Sequence, residues 1–353
     1  MPLSTTEGVS TTAAWDEFVD SSARGQFQQT SGWAQVKARE GWSAVREYLD
    51  PIGPRSGGFQ LLWKRSALAR IGYVSKGPVL PEETEPVVNA ALERLLAVAR
   101  RLRLAAVVVQ PPDDSLISSE ALIGHGFFSQ PVESVIRATG IVSLEDGANG
   151  VLSRMSRKAR QHWRSACRQG VTLGWGARSD LALFFQLMGE SARRQQQVPS
   201  PGRVDLLEAM WDALPSRVSL AFAEHAGRRL AGLLMIRQGD RIVFWKKGWN
   251  SEHPHLFVNA FLEAECLIWA SALGYGFADV VRMLPEIAVK VLANEELSEE
   301  EGRSQDVFHL RFGARPKLLP PAHLVIVNPT LRRVVYWGLR WPRLRMALER
   351  RVT

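Results

Sequence analysis

The amino-acid sequence predicts an α/β protein made of two tandem copies of one mixed-sheet unit. Three observations carry that expectation: the length of the chain, a repeated order of elements, and a constant spacing between the repeats. At 353 residues the chain exceeds the roughly 250–300 residues at which a single core stops growing. Its apolar share of 46% and charged share of 23% are those of an ordinary globular protein, so neither disorder nor a fibre is indicated.

Residues 61–63 and 70–75 read as strands, because each is a short run rich in Leu, Ile, Val and aromatics. Residues 86–102 read as a helix, with Leu92, Leu95, Leu96, Ala99 and Leu102 three and four positions apart. Residues 104–110 read as a further strand. The same order recurs at 231–237, 241–246, 255–273 and 276–282. Tyr73 falls on Phe244 and Val109 on Val280, each pair 171 residues apart. A hairpin, then a helix, then a strand parallel to the second hairpin strand makes a right-handed crossover in a mixed sheet. That arrangement is the middle of the acyl-CoA N-acyltransferase-like (GNAT-like) fold, so the expected architecture is two tandem GNAT-like domains.

The turn-forming stretch Glu145-Asp146-Gly147 suggests a boundary there. The expected domains are 1–145 and 146–329, the second opening on a basic linker helix at 151–170, followed by a basic tail at 330–353. Residues 179–194 read as an amphipathic helix with Leu181, Phe184, Phe185 and Leu187 on one face. Residues 323–327 read as strand, and the acidic stretch 297–305 as a surface excursion.

A net charge of +8 favours a polyanionic partner. The charge is concentrated at 154–171, which holds five arginines, one lysine and no acid. On a helix Arg157, Arg160, Arg164 and Arg168 fall near one face, with Lys158 beside them, a pattern suited to nucleic-acid phosphates. Tail residues 330–353 set seven arginines against the single acid Glu349 and interleave them with Trp337 and Trp341, a mixture suited to an anionic membrane surface. No window is apolar enough for a membrane span and no export signal is evident, so a cytoplasmic protein is expected, with peripheral contact at the inner face of the membrane. Cys167 and Cys266 have no metal-ligand neighbours at short spacing and are expected to be buried free thiols. Neither a metal nor a cofactor is expected.

Acyl-CoA enzymes hold pyrophosphate on a Gly-rich turn before the central helix. The equivalent turns here begin Lys76-Gly77-Pro78 and Lys247-Gly248-Trp249, and neither has a run of glycines. Pro78 also removes a donor N–H. Both features weigh against coenzyme A.

Several further stretches, taken in order, resemble one family. They are Gln28-Gln29-Thr30-Ser31-Gly32-Trp33-Ala34-Gln35-Val36-Lys37 with Gly41-Trp42, the Gly77-Pro78 turn and Arg168-Gln169-Gly170-Val171. Ser191-Ala192-Arg193-Arg194, Asp279, Phe308-His309-Leu310-Arg311-Phe312-Gly313 and Leu319-Pro320 complete the set. The chain from about Trp15 to Pro321 resembles the Fem family of aminoacyl-tRNA-dependent peptidyltransferases, in its armless form, since no long heptad run interrupts the second half.

The resemblance implies transfer of an amino acid from aminoacyl-tRNA to an amine, with a peptidoglycan precursor as acceptor. The rivals are the same transfer to a natural-product or other small-molecule amine, or an acyl-CoA N-acyltransferase. It implies that Lys37 and Arg194 hold the acceptor's phosphates, with Trp33, Gly77 and Trp245 as further substrate contacts. Arg157, Lys158, Arg160, Arg164 and Arg168 are the expected tRNA contacts. His309 stands where the family carries a lysine and becomes the candidate donor to a developing oxyanion. Asp279 is the second candidate catalytic residue, and Glu82 or Glu83 the candidate base after the Gly-Pro turn.

Overall fold

A computed structural model describes residues 12–50, 53–66, 69–129 and 135–333. Its elements begin α1 (Thr12–Ser21), α2 (Ser31–Ala38), β1 (Ser43–Asp50), β2 (Gly53–Arg65), β3 (Arg70–Ser75), α3 (Glu85–Arg101), β4 (Ala106–Gln110), α4 (Ser119–Gly124) and β5 (Phe128–Ser129). They continue with β6 (Ala138–Ser143), α5 (Gly147–Arg154), α6 (Arg157–Arg168), β7 (Thr172–Trp175), α7 (Leu181–Arg194), α8 (Val204–Ala213), β8 (Val218–His225), β9 (Arg228–Gln238) and β10 (Arg241–Trp249). The last are α9 (Val258–Ala272), β11 (Phe277–Asp279), α10 (Pro285–Leu292), α11 (Gln305–Leu310), β12 (Arg315–Leu318) and β13 (His323–Ile326).

The described residues divide into two compact units, one formed by residues up to 136 together with those from 319 onward, the other by 137–318. The expected boundary at 145/146 is therefore displaced at both ends, and strand pairing gives the reason. Strand β6 pairs antiparallel with β11 and β12, which draws 138–143 into the second sheet. Strand β13 pairs antiparallel with β4 and β5, which returns 323–326 to the first. The turn at Asp146 does form, with φ 63°, but inside the second unit, where it starts α5. Most of the tail expected at a membrane surface, 334–353, lies outside the described residues.

In the first unit the sheet order is β1-β2-β3-β4-β13-β5. Helix α3 lies against it, burying Val88, Leu92, Leu95 and Ala99 with Phe59, Leu61, Val74, Val107 and Val109. In the second unit the order is β12-β6-β11-β10-β9-β8-β7. The buried face of α9 there meets Leu233, Ile242, Phe244, Ala278 and Val280. On the other face α7 approaches β9 and β10 closely, because Gly232 and Gly248 carry no side chain. A Cβ at Gly248 would stand 2.4 Å from the Met188 backbone nitrogen. Gly248 thus serves helix packing within a strand rather than a phosphate-wrapping turn.

Both copies contain the expected hairpin, helix and parallel strand. Their registers differ by one residue. Strand β3 pairs Ile71 with Ala106, whereas β10 pairs Arg241 with Phe277. A one-residue slip turns a side chain to the other face of a sheet. Val74, not Tyr73, therefore shares with Phe244 the face covered by the helix, while Val109 and Val280 correspond as the spacing implied.

Candidate functional site

The charged groups of the second unit that lie deepest in the protein converge from α9, α11 and the C-terminal ends of β10 and β11. Glu263 sits mid-helix in α9 and is fully buried. Its Oε2 accepts a hydrogen bond from Lys247 Nζ of β10 at 2.9 Å, and its Oε1 lies 2.9 Å from His309 Nδ1 of α11. Burial pushes the Glu263 carboxyl up, but the charges and hydrogen bonds of Lys247 and His309 outweigh it and hold the group down at about 2. Glu263 is therefore ionised at neutral pH and can only accept, so His309 must carry its proton on Nδ1. That leaves Nε2 as a base when the ring is neutral and as a donor when it is charged. Lys247 also stands 4.4 Å from the centroid of the Phe308 ring. Lys247 and Glu263 were not singled out in the sequence. Their signal was Glu263, set among the apolar positions of a helix that also carries Glu265.

Asp279, at the end of β11, is buried and fixes backbone. Its Oδ1 accepts the Val281 N–H at 3.0 Å and the hydroxyl of Thr139. Val281 and Arg282 follow in the left-handed region at φ 40° and 57°. This is unusual for any non-glycine and a strain for a β-branched residue. Next along, Leu284 N–H is accepted by Asp306 Oδ2 at 3.2 Å. Burial raises the Asp306 carboxyl, against the pull of that hydrogen bond, His309 and Arg282. On β10 a bulge between Phe244 and Lys246 disturbs the ladder at Trp245. Lys246 is half-buried, its Nζ 5.0 Å from the Trp245 ring centroid. Burial first, and then the charge of Arg282, lower its ammonium to about 8.

The basic segment is helix α6, integral to the second unit rather than a linker. Ser156 caps it by accepting from Ala159 N, and Trp163 Nε1 donates to Glu265 of α9 at 2.7 Å. Arg157, Lys158, Arg164 and Arg168 are exposed and make no ion pair among the described residues. Arg160 is different. Its guanidinium donates to the carbonyls of Leu152, Ser153 and Met155, closing the C-terminal end of α5. It is a structural group. Cys266 is buried as expected, whereas Cys167 is exposed on α6.

Other expected site residues have local partners. Arg194 lies on α7, stacks 4.7 Å over the Trp249 ring and donates to the Trp249 carbonyl at 2.7 Å. Lys37 pairs with Glu40 one turn on and lies 5.7 Å from the Trp33 ring, which itself packs edge-on to Phe27. Gly77 makes room for Gln29, whose carboxamide a Cβ there would meet at 2.8 Å. That carboxamide donates to Ser75 O and accepts from Gln60 N, each at 2.7 Å. Gln29 thereby bridges β2 and β3 where their ladder parts. Glu83 is buried by Ser115, Leu116 N–H and Arg24, so it is occupied in holding a loop. Lys37, Trp33, Gly77 and Glu83 lie in the first unit; Arg194, Trp245, Asp279 and His309 lie in the second.

The fold and the repeated unit define a tandem GNAT-type protein. Residues 153–284 match the family model of the acetyltransferase (GNAT) domain. The lipid II:glycine glycyltransferase of Staphylococcus aureus (strain MRSA252) is 26% identical over 211 residues, covering 56% of this chain and 50% of that protein. The chain thus spans about half the length of the curated relatives it matches. A crystal structure of FemX superposes with a TM-score of 0.77 at 17% identity, over 92% of this chain and 98% of that one. A tandem GNAT protein from the clavulanic acid biosynthesis pathway gives a TM-score of 0.52 at 11% identity, over 90% and 95%. The chain is therefore similar to proteins of the Fem kind in sequence over about half its length and in fold over most of it. Among the described residues no helix is longer than the 17 residues of α3, and none is long and apolar enough to cross a membrane.

Proposed function

We propose that the protein is an aminoacyltransferase that moves an amino acid from aminoacyl-tRNA to the amine of a peptidoglycan precursor. The observation that carries the polyanionic donor is the exposed face of α6. Four cations stand there without a counter-charge among the described residues, and the two in the first turn, Arg157 and Lys158, also oppose the helix dipole. Each cation at a helix N-terminus costs about 0.3–1 kcal/mol, which a bound phosphate reverses. The acceptor is inferred from the relatives, which are named as lipid II:glycine glycyltransferases.

An aminoacyl ester is already activated. The enzyme has to hold a neutral amine about 3 Å from the carbonyl and stabilise the oxyanion. His309 supplies both needs from one atom: neutral Nε2 takes the proton of the attacking amine, and the resulting N–H donates to the developing charge. As the C–N bond replaces the ester C–O bond, that proton passes to the departing ribose hydroxyl oxygen of the tRNA. Glu263 fixes the ring and its tautomer, and Lys247 keeps Glu263 ionised. Lys37 and Trp33 of the first unit, and Arg194 and Trp245 of the second, are each proposed as acceptor contacts. We place the reaction in the cytoplasm, where charged tRNA is found, with the basic tail giving peripheral membrane contact.

The test is single-turnover transfer from a mixture of charged tRNAs, following the loss of each amino acid, with a nucleotide-linked precursor and a small-molecule amine offered in parallel. Transfer to the precursor alone supports the reading, and transfer only to the small amine replaces its acceptor. Coenzyme A binding with no tRNA-dependent transfer overturns it.

A further inference from the structure

Within the second unit the cations Lys246 and Arg282 are left without a partner that the mechanism above uses. We propose that they form a binding site for a phosphate-class anion at the open end of the parallel strands β10 and β11. The pairing of these strands stops after Val243–Asp279. Beyond it β10 carries the bulge, Trp245 and Lys246, and β11 turns through Val281 to Arg282. Ligands of α/β sheets gather beyond the carboxyl ends of the strands, and this is such an end.

Three independent features meet there. Lys246 makes no ion pair and no side-chain hydrogen bond among the described residues, although it is half-buried. A desolvated charge without a partner is costly and is retained where a ligand supplies the partner. The charged neighbour that bears on it is another cation, Arg282, which is exposed and therefore available to a ligand. Finally, the backbone that delivers Arg282 is held in two successive left-handed residues by Asp279 and Thr139, and strain of this kind persists where the surroundings enforce it.

Lysine and arginine offer only donors, so the ligand is an acceptor. A compact ammonium beside a forked guanidinium suits the several oxygens of a phosphate. The Trp245 ring shields one side of the ammonium. Lys247, the next residue, is turned to Glu263 instead. Asp306 lies within electrostatic range of Arg282 but binds Leu284 N–H. An anion seated between the two cations favours the charged form of Lys246, so occupancy raises its ammonium from about 8 toward the ordinary lysine range.

The site deepens the transfer reading and rests on it for the source of the phosphate. That source is either the 3′-terminal backbone of the donor RNA or the diphosphate of a nucleotide-linked acceptor. The experiment is trace acetylation of the full chain at pH 7.5 with peptide mass spectrometry, with and without inorganic pyrophosphate at low salt. Lys246 is expected to be labelled more than tenfold faster than exposed Lys158, and pyrophosphate is expected to slow it by tenfold or more.

Calorimetry should give a pyrophosphate affinity at least tenfold weaker in Arg282→Gln and Lys246→Met. An RNA minihelix with an unpaired CCA end and a uridine diphosphate sugar are then added in separate arms, and the one that protects Lys246 names the source. No protection by pyrophosphate overturns the site, as does pyrophosphate protection shared by neither arm. Because this measurement needs no transfer, tRNA-dependent transfer without protection removes the anion site alone. Protection without transfer removes the functional reading alone.

Discussion

The two copies of the repeat use the same hairpin, helix and parallel strand and finish them differently. In the first unit β3 and β4 stay paired for five residues, from Ile71–Ala106 to Ser75–Gln110, and Gly77 N–H extends the contact to Gln110 O. The charge at that end is satisfied internally. Lys76 Nζ meets Asp113 at 2.5 Å, both residues buried, and Gln29 bridges the parted ends of β2 and β3. In the second unit pairing stops after three residues, and the equivalent end holds a bulge, two left-handed residues, an unpaired lysine and the Lys247–Glu263–His309 set. The lesson is that a closed strand end satisfies its charges within the fold, whereas an open one leaves them available to a ligand. On the proposed function the first unit is the structural copy and the second the reactive one.

The largest expected effect is at the centre of the second copy. Glu263→Ala leaves the part-buried Lys247 without its counter-charge, and breaking a buried pair typically costs about 3–5 kcal/mol. Urea unfolding should show a loss of that order, and a change below about 1 kcal/mol would mean that water or another group already compensates Lys247. The pH dependence has a defined sign. The Glu263 carboxyl is held below its ordinary 4.5, so its stabilisation is complete above that value and is lost as pH falls toward about 2. Acid unfolding of Glu263→Gln should lack this part of the dependence.

Next in size, His309→Ala is expected to lower turnover by about ten- to a thousandfold at little cost in donor affinity. Reversing Arg157 and Arg164 together should weaken RNA binding and reduce its salt slope by up to about 2. Arg160→Glu separates the two roles of α6, because it should lower the melting temperature through the α5 carbonyls it caps more than it alters the slope. The smallest expected effect is a several-fold rise in the acceptor's Michaelis constant for Lys37→Ala or Arg194→Ala. Lys37 shares its charge with Glu40 and Arg194 with the Trp249 carbonyl, so neither is a fully available cation.

Much of the fold was legible because apolar period and spacing are local signals. Residues 70–75 formed a strand as expected, and the helix expected at 86–102 formed as Glu85–Arg101. Domain limits were not legible, since β6 and β13 join their sheets through pairing with strands distant in sequence, which no local pattern encodes. The site was half legible. His309 and the cations of α6 stand out by residue type, but Lys247 and Glu263 acquire meaning only when β10, α9 and α11 bring them within 2.9 Å of one another or of His309. The structural roles of Gly77 and Arg160 were not legible for the converse reason: a glycine and an arginine that suit a ligand equally suit Gln29 and the end of a helix.

The central claim, that chemistry resides in the second copy, is tested most directly by the pH profile of single-turnover transfer in His309→Ala and Glu263→Gln. If His309 is the base and Glu263 its positioning group, His309→Ala slows the transfer step at every pH. Glu263→Gln should move the profile's titrating limb while leaving acceptor and donor affinities within about twofold. Wild-type rates and an unshifted profile in both variants would contradict the account.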